Sequence, residues 1–409
     1  MNTSLASRKL TNGKKEQAML ENTVTTFIHS KNGKKLSSRR VLFYLPERLV
    51  GYDHSSKGII QTILKPVSVA LCPTPFCVRK CIFCSNTQRN KENRERGAHL
   101  QPDRFVQLIQ DLIAMGVQGV SVAGGGEPLA YDGPIVERLF LGQNLPFRIG
   151  IHTNGVLLDR MLIERVFTSG SIMYINVSVV AHCSELYTRI CQVPGEQFFR
   201  IESNILKALR LKQATDSNLT LGVKILLCRE NFSHVLGIVD YFKHLGVDNI
   251  LVRCVGNFEP GQDVELLPDQ IEQLSTIFKN DLEMNNDQIA AVTGCNLEVE
   301  TLPIPSRCWI CALQYTAGVD PDGEVYLCSP WSRKGYSVGN VNEKHLREIW
   351  GSDKHREVAQ RLNSKLKSGE CNPLLCRHYY SNLAIDAFIA GLIPALPKAD
   401  IEKGYGRFI

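Results

Sequence analysis

The sequence contains no run of apolar residues that approaches the roughly 18 residues a membrane-spanning helix needs. Its first 30 residues also lack an apolar run that could serve as a signal peptide. These two absences predict a cytoplasmic protein with no membrane segment. Hydrophobic residues (44%) and charged residues (22%) occur at ordinary globular levels, and 409 residues are enough for a large core and a smaller appended domain.

The excess of positive charge is confined to the N-terminus. Residues 1–65 contain twelve Lys and Arg but four Asp and Glu, a local charge of +8, so the remaining residues contribute −2 to the total of +6. A basic, polar terminus of this kind is typically a solvated and mobile segment. We therefore predict a basic, partly mobile extension over residues 1–65, a near-neutral body and no nucleic-acid partner.

Short strand-like runs alternate with amphipathic helical patterns from residue 66 onward. The predicted strands are 67–71, 119–123, 148–153, 174–180, 219–227 and 249–255, and the predicted helices are 103–115, 134–143, 157–168, 198–213, 233–245 and 268–283. Six repeats of strand and helix indicate an α/β protein with a parallel sheet, and the near-continuous apolar runs indicate that both faces of the sheet are covered. The pattern fits an open doubly wound sheet or a partial barrel.

Three distinctive segments follow the first three predicted strands. Cys77–Cys84 follows the first strand, Gly124–Glu127 follows the second, and residues 153–155 (TNG) close the third. The carboxyl ends of parallel strands share one rim of the sheet, and functional sites in such folds lie on that rim. We therefore expect the three segments to lie close together.

Fourteen cysteines in a cytoplasmic protein indicate metal binding or redox chemistry, because thiols are kept reduced there. Two groups stand out, an early one of Cys72, Cys77, Cys81 and Cys84 and a late one of Cys308, Cys311, Cys328, Cys371 and Cys376. The other five are scattered, and we interpret them as buried packing residues. In the run CVRKCIFC, three thiolates on a [4Fe–4S] cluster would leave one iron open for a small molecule, whereas a structural zinc site needs a fourth ligand.

The spacing C-x3-C-x2-C, with the aromatic Phe83 before the third cysteine, resembles the signature of the radical S-adenosylmethionine (SAM) superfamily. GGGEP (124–128), HTNG (152–155) and VSVVAHCSELYTRI (177–190) resemble further motifs of that family in the same order. The resemblance covers about residues 67–260. It implies a partial (β/α)6 TIM-like barrel over residues 66–290. On its rim, a [4Fe–4S] cluster that binds SAM is expected on Cys77, Cys81 and Cys84. The implied SAM-binding residues are Phe83, Gly124, Gly125, Gly126, Glu127, Asn154, Ser178 and Arg189.

The segment after residue 290 has a different pattern. Prolines cluster at 303 and 305, and AGVDPDGEVYLC (317–328) indicates a hairpin with Asp322 and Gly323 at its turn. The cysteine spacing resembles the SPASM and Twitch auxiliary-cluster domains of the same superfamily. The resemblance implies a small α+β domain over residues 291–409 with one auxiliary [4Fe–4S] cluster. Its ligands would be Cys328, Cys371, Cys376 and one of Cys308 or Cys311. The late C-x4-C pair departs from the family's C-x2-C, and zinc is the competing interpretation.

Together these resemblances imply an enzyme of oxidoreductase type that cleaves SAM to a 5′-deoxyadenosyl radical and removes a hydrogen atom from its substrate. We expect a small-molecule or natural-product substrate that is oxidised, epimerised or rearranged, and a flavodoxin- or ferredoxin-like electron donor. A peptide-modifying maturase is the alternative, and a non-enzymatic iron–sulfur electron carrier is an alternative of another class. Cys183 follows the fourth predicted strand and Cys254 lies near the end of the sixth, and both are weak candidates for a thiol that returns a hydrogen atom to the substrate.

Overall fold

The computed structural model describes residues 65–131, 139, 145–256, 262–277, 289–293, 305–328, 335–371, 376 and 378–392. The predicted N-terminal extension lies outside these ranges except for Lys65, and most of the predicted helix 134–143 does as well. Within the described ranges, no helix combines the length and the apolar character that crossing a membrane requires.

Ten strands of the described chain form one sheet. They are β1 Ser68–Leu71, β2 Gly119–Val122, β3 Arg148–Thr153, β4 Ile172–Val179, β5 Thr220–Leu227, β6 Asn249–Cys254, β7 Ile289–Thr293, β8 Thr316–Val319, β9 Glu324–Tyr326 and β10 Ser337–Asn340. Strands β1 to β7 lie side by side in sequence order, and each neighbouring pair is parallel. The described sheet is open, with β7 and β10 at its edges, so the fold is a partial α/β barrel, as predicted.

Eleven α-helices of the described chain connect and cover these strands. They are α1 Thr87–Glu95, α2 Pro102–Ala114, α3 Glu164–Thr168, α4 Ser184–Cys191, α5 Glu196–Ala214, α6 Val235–Leu245, α7 Pro268–Ile277, α8 Trp309–Ala312, α9 Leu346–Ile349, α10 Asp353–Lys367 and α11 Tyr379–Ile389. Short 3-10 helices cover Pro128–Ala130, Leu158–Met161 and Arg229–His234.

The six predicted strands are present, and their bounds differ from the prediction by no more than two residues. Strand β7 was not predicted, because its apolar run of five residues, IAAVT, is short and follows a polar stretch. Helix α1 was missed because its sequence, TQRNKENRE, is polar all round and gives no helical periodicity. Its buried residues are Asn90 and Asn93, so the position of α1 depends on polar contacts.

The apolar pattern of α2 shows how the helices cover the sheet. Phe105, Leu108 and Leu112 recur at helical spacing, and each is at most 1% exposed. They share one apolar core with Val69 of β1 and Val120 of β2. The helical prediction for this segment is therefore confirmed together with its buried face.

The two faces of the sheet differ in polarity. Along β4, Ile175, Val177 and Val179 are buried in the core, whereas Asn176 and Ser178 alternate with them and are only partly buried. The neighbouring strands β3 and β5 show the same alternation. The core under the helices is therefore apolar, and the opposite face of the sheet, the barrel interior, is polar at its centre.

The predicted C-terminal hairpin is present but does not form a separate sheet. Strand β8 pairs in parallel with β1, and β9 and β10 follow in antiparallel order. Val319 and Val325 of this hairpin belong to the same apolar core as β1. The cysteine-bearing segment is thus built onto the edge of the barrel, while the predicted boundary near residue 290 stays a prediction.

Candidate functional site

The loop after β1 carries three of the early thiols and is docked on the end of α4. The N–H groups of Lys80 and Ile82 donate hydrogen bonds to the carbonyls of Cys191 and Ile190, both at 3.0 Å. A turn in which the Cys84 N–H donates to the Cys81 carbonyl at 3.0 Å closes the loop. The positions of the thiols are therefore set by backbone hydrogen bonds as well as by chain spacing.

Arg79, between the first two cysteines of this loop, is buried with 7% of its surface exposed. Its guanidinium donates to the carbonyl of Ser178 at 3.1 Å and to the carbonyl of Asn154, and it lies over the ring of Tyr187, 5.2 Å from the centroid. These contacts join the loop to the carboxyl ends of β3 and β4. A buried arginine can be stable here because carbonyl oxygens and an aromatic face surround its charge.

The triple glycine after β2 packs against the same loop. Gly124 and Gly125 have φ values of +65° and +63°, in the left-handed region that favours glycine. A Cβ atom at Gly126 would collide with the backbone of Phe76, and the Gly126 N–H donates to the Thr74 carbonyl at 2.7 Å. The glycines therefore allow two backbone segments to approach closely at the rim, while their contact with SAM stays a prediction.

Glu127 has a different place from the one expected of a SAM-binding residue. Its carboxylate is 2% exposed and accepts hydrogen bonds from the Thr153 hydroxyl at 2.6 Å, the Asn154 N–H at 2.6 Å and the Leu129 N–H at 3.2 Å. Burial raises the pKa of Glu127, and these three hydrogen bonds oppose the rise. The carboxylate thus connects the ends of β2 and β3, and a direct contact of Glu127 with SAM stays a prediction.

We predict that Glu127→Gln destabilises the protein by about 1–3 kcal/mol, because an amide NH2 would face the Asn154 N–H or the donors of the other oxygen and leave a buried group unpaired. The free energy of unfolding of the reconstituted protein measures this effect. The control is Glu95→Gln, since Glu95 is exposed and forms a 4.0 Å ion pair with Lys91. Equal stabilities of the two variants would contradict the structural role of Glu127.

Asn154 connects the end of β3 to the first cysteine. Its side chain donates to the Cys77 sulfur at 3.7 Å and accepts from the Val156 N–H at 3.0 Å. Ser178, in the next strand, is partly buried and offers its carbonyl to Arg79. The structure therefore brings Asn154, Ser178 and the cysteine loop together, as the sequence predicted.

Two other predicted SAM-binding residues, Phe83 within the cysteine loop and Arg189 on α4, have different surroundings. Phe83 is 8% exposed and is part of the apolar core. Arg189 forms an ion pair with Glu230 at 3.1 Å, and 58% of its side chain is exposed. The observed pairing does not support a direct role of Arg189 at the cofactor, which stays a prediction.

A buried thiol that sequence reasoning assigned to packing lies beside the loop. The sulfur atoms of Cys191 and Cys81 are 3.8 Å apart, and the hydrogen bond from Cys81, with a smaller effect of the charge of Arg79, lowers the pKa of Cys191. Cys77 is open to solvent, yet the atoms packed around it desolvate the thiolate and raise its pKa to about 11. Binding of iron to Cys77 has to displace that proton. Sequence reasoning also missed Arg79. The signal that could have identified it is an ionisable residue between Cys77 and Cys81.

The five late cysteines also come together. The Cys311 thiol interacts with Cys308 and Cys328, and the pKa of Cys311 is raised, first by the hydrogen bond with Cys308. Burial, with Cys308, Cys328 and Cys371 nearby, raises the pKa of Cys376 to about 12. The structure thus brings thiols from three segments that are distant in sequence near one another, and thiolates are the ligands of iron–sulfur clusters. Among the described residues, no group of three or more Cys, His, Asp or Glu is arranged as a metal site.

The two candidate hydrogen donors have different surroundings. Cys183 caps the start of α4 and is partly buried against the apolar core. Cys254, at the end of β6, is buried in the apolar core. The candidacy of both residues stays a prediction.

The hairpin of β8 and β9 reaches the rim where the early cysteines lie. A Cβ atom at Gly125 would collide with Pro321 of the hairpin turn. Arg89 of α1 forms ion pairs with Asp320 at 2.6 Å and with Asp322 at 3.4 Å. The two cysteine groups therefore belong to parts of the chain that contact each other.

An open α/β barrel carries three thiols, the glycine shelf of Gly124–Gly126 and polar strand ends on one rim, which is where and with which ligands an iron–sulfur enzyme site is expected. The family models agree: the Radical SAM superfamily model matches residues 71–242, and the SPASM model, an iron–sulfur cluster-binding domain, matches residues 308–377. The chain belongs to the radical SAM superfamily and carries a SPASM domain.

Two curated relatives are similar over most of the chain. The tungsten-containing aldehyde ferredoxin oxidoreductase cofactor-modifying protein of Pyrococcus furiosus is 23% identical over 69% of this chain and 80% of its own length. The PqqA peptide cyclase of Granulibacter bethesdensis is 26% identical over 71% of this chain and 75% of its own length.

Solved structures show the same fold. SuiB of Streptococcus suis, bound to its precursor peptide SuiA, is 16% identical, with a TM-score of 0.56 over 82% of this chain and 74% of SuiB. The protein anSMEcpe, with bound SAM and a peptide, is 15% identical, with a TM-score of 0.52 over 80% of this chain and 98% of that one.

The residues present fit the cofactors of this family. The early loop offers three thiols, and the late cysteines offer enough thiols for a saturated cluster. The protein is therefore a radical SAM enzyme with a [4Fe–4S] cluster, SAM and an auxiliary iron–sulfur cluster domain. This assignment replaces the interpretation of the late cysteines as a zinc site and the alternative of a non-enzymatic iron–sulfur electron carrier.

Proposed function

We propose that this enzyme modifies a peptide. The observation that carries the proposal is the pairing of a Radical SAM domain with a SPASM domain, which the chain shares with relatives named for peptides. These similarities support the peptide-modifying alternative better than the small-molecule substrate that the sequence favoured. The polar interior of the open barrel is consistent with a peptide, since its strands present hydrogen-bonding side chains to a substrate.

The residues of the chain would hold and orient the reactants. Cys77, Cys81 and Cys84 would hold the cluster, and the backbone of Gly124–Gly126 would lie against SAM. Arg79 ties the cysteine loop to the ends of β3 and β4, and Glu127 fixes Asn154 beside Cys77. When bound, the cluster and SAM supply a 5′-deoxyadenosyl radical that removes a hydrogen atom from the substrate.

The late cysteines would hold the auxiliary cluster at the barrel edge that β8 extends. An oxidation of the peptide would release electrons, and a cluster saturated by thiolates can carry electrons without binding substrate. We propose an oxidoreductase-type reaction on this basis, with a flavodoxin- or ferredoxin-like protein as the reductant.

A protease treatment tests the peptide proposal. The anaerobically reconstituted enzyme, with SAM and dithionite, is given a low-molecular-weight extract of the cells that express it, and 5′-deoxyadenosine is measured. We expect the extract to increase 5′-deoxyadenosine several-fold above the background. Exhaustive proteolysis of the extract, followed by removal of the protease, should abolish the increase. An increase that survives proteolysis would favour a small-molecule substrate.

A further inference from the structure

Helix α11 contacts two of the late cysteines. At its start, the His378 N–H donates a hydrogen bond to the Cys376 sulfur at 3.4 Å, and the Tyr379 N–H donates to the Cys376 carbonyl at 3.1 Å. One turn further along, the side chain of Asn382 forms a hydrogen bond with the Cys308 sulfur. A single helix therefore holds two cysteines that are distant in sequence and that would both bind the auxiliary cluster.

The orientation of the Asn382 amide is fixed by a second hydrogen bond. Its Oδ1 accepts from the backbone N–H of Ile310 at 3.1 Å, and the residue is 3% exposed. A thiolate sulfur can only accept hydrogen bonds, so the group that Asn382 offers to a cluster-bound Cys308 is its NH2. The contact is therefore an N–H···S hydrogen bond from a buried side chain.

Asp386 holds the same segment from the next turn of α11. Its carboxylate accepts from the Ser306 N–H at 2.8 Å, from the Ser306 hydroxyl and from the Trp309 indole N–H at 2.7 Å. Residues four apart lie on one face of a helix, so Asp386 and Asn382 together fix the turn that contains Cys308. The Cys308 sulfur is thereby kept within reach of the Asn382 amide.

Hydrogen bonds to the sulfur atoms are one of the factors that set the reduction potential of an iron–sulfur cluster. Reduction adds one electron, so the sulfur atoms become more negative and accept hydrogen bonds more strongly. A buried N–H donor therefore favours the reduced form and raises the potential. Cys308 also receives the backbone N–H of Cys311, but Asn382 is the donor that depends on the identity of a side chain.

We propose that Asn382 is a positioning residue of the auxiliary cluster, which orients Cys308 and raises the reduction potential of the cluster through its N–H···S hydrogen bond. It rests on the proposed function of the late cysteines as cluster ligands and deepens it. A higher potential suits a cluster that accepts an electron when the substrate is oxidised.

The experiment measures the reduction potential of the auxiliary cluster alone. The full chain carries Ala at Cys77, Cys81 and Cys84, so that only the late cysteines hold a cluster, and an anaerobic titration with dithionite is followed by electron paramagnetic resonance. Asn382→Leu keeps a side chain of similar size but has no N–H to donate. We expect it to shift the equilibrium about tenfold toward the oxidised cluster, which lowers the potential by about 59 mV for one electron.

Asn363→Leu is the matched control. Asn363 is partly buried on α10, and its side-chain oxygen has no hydrogen-bond partner among the described residues. This variant should keep the potential of the parent chain, and both leucine variants should keep about four irons. If Asn382→Leu loses its iron, Asn382→Asp replaces it, because a carboxylate still accepts from the Ile310 N–H but offers Cys308 no donor. Its potential should fall at least as far.

Four results would overturn the proposal. The first is an unchanged potential in an Asn382 variant that keeps its iron. The second is an equal fall in Asn363→Leu, which would assign the effect to packing. The third is loss of iron from both Asn382 variants, which would leave Asn382 only a role in folding. The fourth is a parent chain without iron, which would refute the ligand assignment itself. The protease experiment tests the peptide function separately, so its failure is distinguishable from these.

Discussion

Replacing Cys77, Cys81 and Cys84 together by Ala is expected to abolish SAM cleavage and to lower the iron content from about eight to about four per chain, if the SPASM domain holds one further cluster. The three thiols lie in one segment that is fixed to α4, so losing all of them removes every predicted ligand of the early cluster and leaves only Cys72 of the early group. Iron determination and assay of 5′-deoxyadenosine after anaerobic reconstitution measure both effects.

Cys191→Ala is the control for this triple variant. Its sulfur is 3.8 Å from that of Cys81, and it is buried, so its replacement perturbs the same region without removing a predicted ligand. We expect this variant to retain about eight irons. Continued production of 5′-deoxyadenosine by the triple variant would refute the ligand assignment, and loss of iron from Cys191→Ala would make Cys191 a ligand.

The second large effect is expected at the auxiliary cluster. Charges on Cys308, Cys328 and Cys371 contribute to the raised pKa of Cys376, so these four thiols lie near one another. Cys311 interacts with Cys308 and Cys328, and its sulfur lies 3.7 Å from the carbonyl oxygen of Leu327. This arrangement favours Cys308 as the fourth ligand.

Cys308→Ala should therefore lose about four irons and the visible absorption of the second cluster, and Cys311→Ala should lose neither. Both variants should still cleave SAM without substrate, since the early cysteines are intact. The reverse result would place Cys311 in the ligand set. A wild-type chain with about four irons and bound zinc would contradict the assignment of an iron–sulfur cluster to this domain.

Local patterns were enough to predict much of the fold. The six strands and the helix α2 follow from apolar runs and periodicity, because each element buries a face that its own sequence specifies. The cysteine loop, the glycine shelf and Asn154 were found because they follow successive strands, and parallel strands place their carboxyl ends on one rim. The late cysteines were found by spacing alone.

Contacts between distant segments could not be predicted in this way. Glu127 has the sequence context of a cofactor residue, but its carboxylate is turned to the end of β3, where three hydrogen bonds hold it. Arg79 and Cys191 become neighbours because the loop after β1 docks on the end of α4, more than 100 residues later.

The sequence by itself determined the chemistry of this protein: the thiols, their spacing and the motifs that follow each strand. Only the tertiary structure decided which of these groups face one another. It placed the C-terminal hairpin beside β1, and it brought Asn382 of α11 against the turn that contains Cys308. The physical reason is that strand order and register depend on packing over the whole chain, whereas the chemical type of each residue is read directly from the sequence.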